Sequence, residues 1–187
     1  MRSWISALVI VAAMATAVAG QQPAPKMGFT LTSPSFPDGG EIPYKYTQAD
    51  PNPVSPKFQW SYVPENTAAF VMIMTDANGA PQKKAYPPLV HSMLLNIPGT
   101  ARELPEGIPM APQLPDGTIQ PKNVRGEHVY RPPGALAPGP HHYYMWELFA
   151  LDKKLDLTPD ATYEDVVKAM DGHVLGKAVV VGRFHRP

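Results

Sequence analysis

The sequence of 187 residues contains no cysteine. Disulfide bonds, cysteine nucleophiles and thiolate-ligated metals are therefore excluded, and stability has to come from the packed core. An excess charge of either sign is also missing, because 16 Lys and Arg are balanced by 16 Asp and Glu. The basic residues are scattered rather than clustered, so nothing indicates nucleic acid or an anionic membrane surface as a partner. Any anion that the protein binds is expected to be small and held locally.

Long apolar runs of the kind that spans a membrane are missing after the N-terminus. The N-terminal run covers residues 5–18 and leads into the A-x-A sequence Ala17-Val18-Ala19. This pattern predicts a signal peptide over residues 1–19 and a flexible mature N-terminus over residues 20–27. An uncleaved anchor helix is the alternative, which the shortness of the run and the polar residues after it disfavour. We therefore expect an exported protein, periplasmic or secreted, with no transmembrane span in the mature chain.

Proline is abundant, with 24 residues spread through most of the chain. Proline interrupts helices and suits turns, so this usage disfavours a helical bundle. Apolar or alternating segments instead predict strands at residues 29–33, 42–46, 58–60, 68–75, 90–97 and 177–184. The Pro-rich segment 98–125 is predicted to be an extended surface excursion. No internal repeat or break in composition divides residues 28–187, which we interpret as a single domain.

A helix is predicted near the C-terminus. Thr162 can cap it, Asp165 completes a capping box, and Asp171-Gly172 closes it. Many strands, Pro-rich turns and one late helix together predict a mainly β fold, either a β-sandwich or an α+β domain dominated by sheet.

The segment 138–152 is the most informative part of the chain. A Pro-Gly-Pro turn precedes a run rich in Tyr, Trp, Phe and Leu, which is typical of a buried strand. Alternation puts the side chains of His142, Tyr144, Trp146 and Leu148 on one face of this strand. A histidine and a tyrosine on one face could line a small polar pocket. In the alternative interpretation, Tyr144 is a core residue and His142 a hydrogen-bonded interior residue.

Two further polar residues stand at strand ends. Asp76 follows the apolar run 68–75, and His91 stands at the start of the next apolar run. These side chains could converge with His142 if the three strands are neighbours, which the spacing alone leaves open.

Four segments, in this order, resemble the phosphatidylethanolamine-binding proteins, specifically their bacterial, Raf-kinase-inhibitor-like branch. They are residues 70–81, residues 91–98 (His-Ser-Met-Leu-Leu-Asn-Ile-Pro), residues 138–152 and residues 169–184. The resemblance covers most of the chain from Phe29 to Phe184. It implies a β-sandwich with one C-terminal helix, long Pro-rich loops and a small anion pocket at one end.

The resemblance also implies which residues form that pocket. The ligand-binding positions match Asp76, His91, His142 and Tyr144, and the expected rim comprises Asn78, Pro81, Tyr130, Arg131, Pro132 and His141. The sequence departs from the family pattern in the loop after Asp76, where the amide Asn78 replaces a second acid. Ser92 replaces an aromatic residue after His91. His141 would take the role of His142 if the preceding turn were one residue shorter.

The resemblance implies a binding protein for phosphate-bearing or other anionic headgroups that regulates or inhibits a partner, such as a protease or kinase, without a cofactor or metal. Protonated imidazoles and a tyrosine hydroxyl suit such a ligand, which predicts weak anion binding that is tighter at low pH. A small-molecule enzyme that uses Asp76, His91 and His142 for general acid–base catalysis is the alternative. The same two histidines and aspartate also match the ligand set of a metal site, against which the Tyr-lined, Pro-rich surroundings argue.

Overall fold

The structure is a computed structural model that describes residues 28–79, 88–135 and 138–186. The predicted signal peptide, the predicted flexible N-terminus and the expected rim residue Pro81 lie outside these residues. The strands are β1 Thr30–Thr32, β2 Gly40–Glu41, β3 Phe58–Ser61, β4 Ala69–Asp76, β5 Leu89–Pro98, β6 Glu103–Leu104, β7 His142–Leu151 and β8 Val174–Phe184. A 3-10 helix covers Tyr44–Tyr46, and the α-helix α1 covers Tyr163–Met170. No helix of the described ranges has the length and apolar character needed to cross a bilayer.

The strands form two sheets. The smaller sheet has the order β1-β3-β6 and is antiparallel, and the larger has the order β2-β8-β7-β4-β5. In the larger sheet only the short β2 runs parallel to its neighbour β8. The prediction of a mainly β sandwich with a late helix is confirmed, because the structure is mostly strand with this one helix in its described part.

The main core lies between the two sheets. Along β7, Tyr144, Trp146 and Leu148 are buried, whereas Tyr143 is exposed, so the predicted alternation is confirmed. The Trp146 ring packs against the Phe58 ring of the smaller sheet, with 5.4 Å between centroids. Burying aromatic surface in this way supplies much of the free energy that holds two sheets together.

A second core lies on the other face of the larger sheet, where α1 packs. Val71 and Ile73 of β4 meet Val166 and Met170 of α1 there. Every residue of β4 is buried, as expected for an apolar strand covered on both faces. The predicted capping box is present. The Thr162 hydroxyl accepts a hydrogen bond from the Asp165 N–H, and the Asp165 carboxylate accepts one from the Thr162 N–H.

One prediction about local structure was wrong, and a second was incomplete. Residues 42–46 do not form a strand, because the Pro43 carbonyl accepts a hydrogen bond from the Tyr46 N–H and closes a 3-10 turn. The segment 98–125 is also more than a surface excursion. Ile119 exchanges two backbone hydrogen bonds with Leu95 of β5, of 2.8 and 2.9 Å. The buried Gln120 amide donates to two further carbonyls of the segment, so this long loop is packed by its own polar groups.

Candidate functional site

The end of β4 and the starts of β5 and β7 lie side by side. The antiparallel register pairs Asp76 with Tyr144 of β7 and with Leu89 of β5. Asp76, His91, His142 and Tyr144 therefore share one end of the larger sheet. The convergence that the spacing left open is present in the structure.

Asp76 is the best-connected residue of this group. Its side chain is 5% exposed, and its Oδ2 lies 2.7 Å from His142 Nδ1. Its Oδ1 accepts hydrogen bonds from the backbone N–H groups of Asn78 and Gly79, both of 2.9 Å. The loop that begins at Asp76 thus fixes the carboxylate, and the carboxylate fixes the imidazole. Because an ionised carboxylate only accepts, His142 carries its hydrogen on Nδ1, and Nε2 takes no part in this contact.

His91 is almost fully buried, at 2% exposure. Its Nδ1 lies 3.0 Å from the Arg131 carbonyl oxygen, which can only accept, so Nδ1 carries the hydrogen and Nε2 is an acceptor in the neutral ring. Burial lowers the pKa of His91, and the positive charge of Arg131 acts in the same direction. The hydrogen bond to the Arg131 carbonyl and the Asp76 charge oppose this shift without cancelling it. At neutral pH, His91 therefore offers a lone pair rather than a positive charge.

Tyr144 joins the two imidazoles. Its ring meets the His91 ring edge-on, with centroids 5.3 Å apart, and stacks on the His142 ring at 6.4 Å. Its hydroxyl oxygen accepts a 3.1 Å hydrogen bond from the Gly134 N–H. Burial, and next the Asp76 charge, raise the pKa of Tyr144, so it stays a neutral hydroxyl that can donate.

The expected rim residues Tyr130, Arg131 and Pro132 contact different parts of the structure. Arg131 gives its carbonyl to His91, while its Nε is buried without a hydrogen-bond partner. The Tyr130 hydroxyl donates to the Tyr46 carbonyl at 3.1 Å, which ties this ring to the core. Arg131 also lines a neighbouring cavity of about 290 Å³. The other residues that line this cavity are Gln48, Asp50, Pro53, Arg125, Glu127, Val129, Tyr130 and Pro132.

Asn78 and His141 take positions that the sequence did not specify. The Asn78 Oδ1 accepts a 2.8 Å hydrogen bond from the Tyr143 N–H, so the amide that replaces a second acid fastens the loop to β7. The His141 Nε2 lies 3.1 Å from the Glu41 carboxylate, away from Asp76. It is therefore His142, and not its neighbour His141, that pairs with Asp76.

Sequence reasoning missed two glycines of the site. Gly79 and Gly134 contribute backbone N–H groups to Asp76 and Tyr144 respectively. A Cβ on Gly79 would collide with the Leu89 side chain. The sequence marks these residues only as turn signals, because a backbone donor carries no residue-specific signature. The glycine after Pro132-Pro133 was the one available hint.

The described residues also bear on a metal at this site. The group of three ligand atoms lying within 4.8 Å of one another in the described ranges is formed by Glu41, His141 and His185. Asp76, His91 and His142 are not this group. The Nδ1 atoms of His91 and His142 contact the Arg131 carbonyl and the Asp76 carboxylate respectively. The neutral imidazoles thus offer acceptors at Nε2, and the Tyr144 hydroxyl offers a donor.

Comparison with known proteins gives one family. The family model described as phosphatidylethanolamine-binding protein matches residues 32–185. A UPF0098 protein of Methanothermobacter thermautotrophicus is 40% identical over 156 residues, which are 83% of this chain and 98% of that protein. A UPF0098 protein of Aquifex aeolicus is 36% identical over 155 residues, covering 82% of this chain and 86% of that protein.

Solved structures give the same result. A phosphatidylethanolamine-binding protein homologue of Chlamydia trachomatis superposes with a TM-score of 0.74 at 29% identity, covering 86% of this chain and 99% of that one. Escherichia coli YbcL, described as a member of the mammalian PEBP family, gives a TM-score of 0.76, covering 86% of this chain and all of the other. At 21% identity, the second comparison bears on the fold alone.

Proposed function

The chain belongs to the phosphatidylethanolamine-binding protein family, and we propose that it binds a small phosphate-bearing or other anionic headgroup where β4 ends and β7 begins. The observation that carries the proposal is the 2.7 Å contact between Asp76 and His142 beside the buried His91 and Tyr144. The family supports it through the ligand in its name. The geometry supports it because four side chains of the matching types lie together with their orientations fixed by hydrogen bonds.

A phosphate monoester suits the hydrogen-bonding groups of this site. The Tyr144 hydroxyl and a protonated His142 Nε2 can donate to phosphate oxygens. The neutral His91 Nε2 can accept from a hydroxyl of a monoprotonated phosphate. The Asp76 carboxylate would repel an anion in direct contact, but three hydrogen bonds already occupy it. Asp76 acts in this proposal by holding His142, not by touching the ligand.

The lowered pKa of His91 refines the expected pH dependence. A free histidine titrates near pH ~6.5, and burial moves the charging of His91 below that value. A gain in anion affinity from charging His91 is therefore expected only in solutions more acidic than that pH.

The site of action and the protein partner are further parts of the proposal. The N-terminal segment 1–19 has the pattern of a signal peptide, which supports action in a periplasm or outside the cell. A protein exported in this way would regulate an envelope or extracellular partner, such as a protease, rather than a cytosolic kinase.

A titration with inorganic phosphate and with O-phosphoethanolamine tests the binding proposal, with the imidazole signals followed by NMR. We expect the His91 and His142 signals to shift together and saturably, and Tyr144→Phe to weaken binding several-fold. His173→Ala is the matched control, because His173 also pairs with a carboxylate, Asp152, at 2.9 Å. Saturable binding that leaves both signals unchanged, or that survives His142→Ala undiminished, would contradict the proposal. Ethanolamine alone and sulfate separate recognition of the amine from recognition of the oxyanion.

The Asp76–His142 pair also favours one second candidate, a small-molecule hydrolase. A carboxylate that orients Nδ1 of an imidazole leaves Nε2 to act as a general base. Turnover of a phosphate or carboxylic ester that disappears in His142→Ala would establish this alternative. Binding without turnover would exclude it for the esters tested.

A further inference from the structure

A second cluster of histidines lies on the outer face of the larger sheet. The register pairs His142 of β7 with Phe184 of β8, so the next pair beyond the ladder is His141 and His185. The parallel strand β2 lies on the other side of β8, where Glu41 pairs with Arg183. His185 follows β8 directly and stands two residues after Arg183, so in extended backbone the two side chains point to the same side. The ends of three neighbouring strands thus bring Glu41, His185 and His141 close together.

The ligand atoms of this cluster are already close. One nitrogen or oxygen from each of Glu41, His141 and His185 lies within 4.8 Å of the other two. The His141 Nε2 and Glu41 Oε2 are 3.1 Å apart, and the centroids of the two imidazole rings are 4.2 Å apart. A tetrahedral zinc ion with bonds of about 2.0–2.2 Å holds its ligand atoms about 3.3–3.6 Å from one another. Only side-chain adjustments therefore separate the cluster from a coordinating geometry.

We propose that Glu41, His141 and His185 bind a divalent transition-metal ion of the zinc class. Two imidazoles and one carboxylate are a ligand set that zinc uses, and imidazole nitrogen also suits copper and nickel rather than calcium or magnesium. The three side chains are partly or fully exposed, so water completes the coordination. The site is separate from the proposed anion site, because His141 pairs with the exposed Glu41 whereas His142 pairs with the buried Asp76.

Arg183 is the competitor for this metal. Its Nε lies 3.3 Å from the same Glu41 oxygen that contacts His141. A bound cation has to displace this guanidinium or share the carboxylate with it, and the positive charge of Arg183 also repels the cation. Arg183 therefore weakens the site in this proposal, so its removal should increase metal affinity.

Isothermal titration calorimetry of the protein without a His tag, with zinc chloride as the probe, tests the proposal. We expect one zinc ion per chain, and at least a tenfold loss of affinity in His141→Ala and in His185→Ala. His173→Ala is the matched control, because it removes a partly exposed histidine paired with a single carboxylate, Asp152. Unchanged affinity in His185→Ala, or an equal loss in His173→Ala, would overturn the assignment.

Arg183→Gln gives a test that unfolding cannot imitate. The proposal expects tighter zinc binding in this variant, because Glu41 loses its competing partner and the local positive charge falls. Weaker or equal binding would overturn the proposed geometry. Neither result depends on the anion proposal, since phosphate plays no part in this titration.

Discussion

Two adjacent histidines at the start of β7 pair with carboxylates, one of which is buried and the other exposed. His142 meets Asp76, whose side chain is 5% exposed, at 2.7 Å. His141 meets Glu41, whose side chain is 50% exposed, at 3.1 Å. The residue types are nearly the same, and the alternation of side chains along the strand separates them. We call these the inner pair and the outer pair.

The difference lies in what fixes each carboxylate. Asp76 has both oxygens engaged, because the backbone of its own loop donates to one and His142 to the other. The Glu41 carboxylate contacts the side chains of His141 and Arg183, which can change their rotamers. A fixed pair suits a pre-formed pocket, whereas an exposed pair can rearrange around an ion at little cost. Burial therefore decides which function each pair can support.

Asp76→Ala should show the largest difference between the pairs. It removes the acceptor of two loop N–H groups and the partner of His142, and we expect it to lower the free energy of unfolding by about 2–4 kcal/mol. Chemical denaturation measures the loss. Asp76→Asn is the control. Its side-chain oxygen can still accept from the loop N–H groups, whereas the group that faces His142 becomes a donor instead of an acceptor. If Asp76→Ala cost no more than Glu41→Ala, the inner pair would not be the constrained one.

The strands and the helix could be predicted because their signals are local. Apolar runs and alternation indicated β4, β5 and β7, and the capping box indicated α1. The 3-10 helix Tyr44–Tyr46 was missed because Ile42, Tyr44 and Tyr46 alternate as a strand would. The hydrogen bond from the Tyr46 N–H to the Pro43 carbonyl, which closes that turn, leaves no pattern of residue types.

The site was predictable only where side chains define it. Asp76, His91 and His142 stand at strand ends and could be chosen as candidates. The Arg131 carbonyl and the Gly134 N–H act through the backbone, so residue identity does not reveal them. The partner of His141 is 100 positions away in sequence, at Glu41, and no local pattern connects the two. Such contacts depend on the order of strands in the sheet.

Tyr144→Phe should have the second largest effect, and it tests the surroundings of the inner pair. The substitution keeps the ring against His91 but leaves the Gly134 N–H without its acceptor. We expect a loss of about 1–2 kcal/mol in the free energy of unfolding. The loss should exceed that of Tyr143→Phe on the exposed face of the same strand. Equal losses would mean that the Tyr144 hydroxyl does not stabilise the loop.

His91 should make stability depend on pH. Its pKa is lowered in the folded state, so its contribution is fully present above pH ~6.5 and is lost as the pH falls through the folded-state pKa. Between pH 7.5 and pH 5.5, His91 can lower the free energy of unfolding by at most about 1.4 kcal/mol. This limit is the stabilisation of the unfolded chain when its histidine alone becomes protonated. Urea denaturation at both pH values should show a smaller loss in His91→Gln than in the unsubstituted protein. Identical losses would contradict the buried, neutral imidazole.

Glu41→Gln should have the smallest effect, and it tests the outer pair directly. Exposed ion pairs stabilise proteins by about 0–1 kcal/mol, so we expect a change below about 0.5 kcal/mol in the free energy of unfolding. Whatever change occurs should shrink in 0.5 M salt, because mobile ions screen charges at this exposure. Comparing the variant with Asp76→Asn at low and high salt isolates the effect of burial, since both changes replace a carboxylate by its amide beside a histidine. A large loss that salt leaves untouched would mean that the outer pair is as constrained as the inner one, and the adaptable metal ligand set proposed for that face would lose its physical basis.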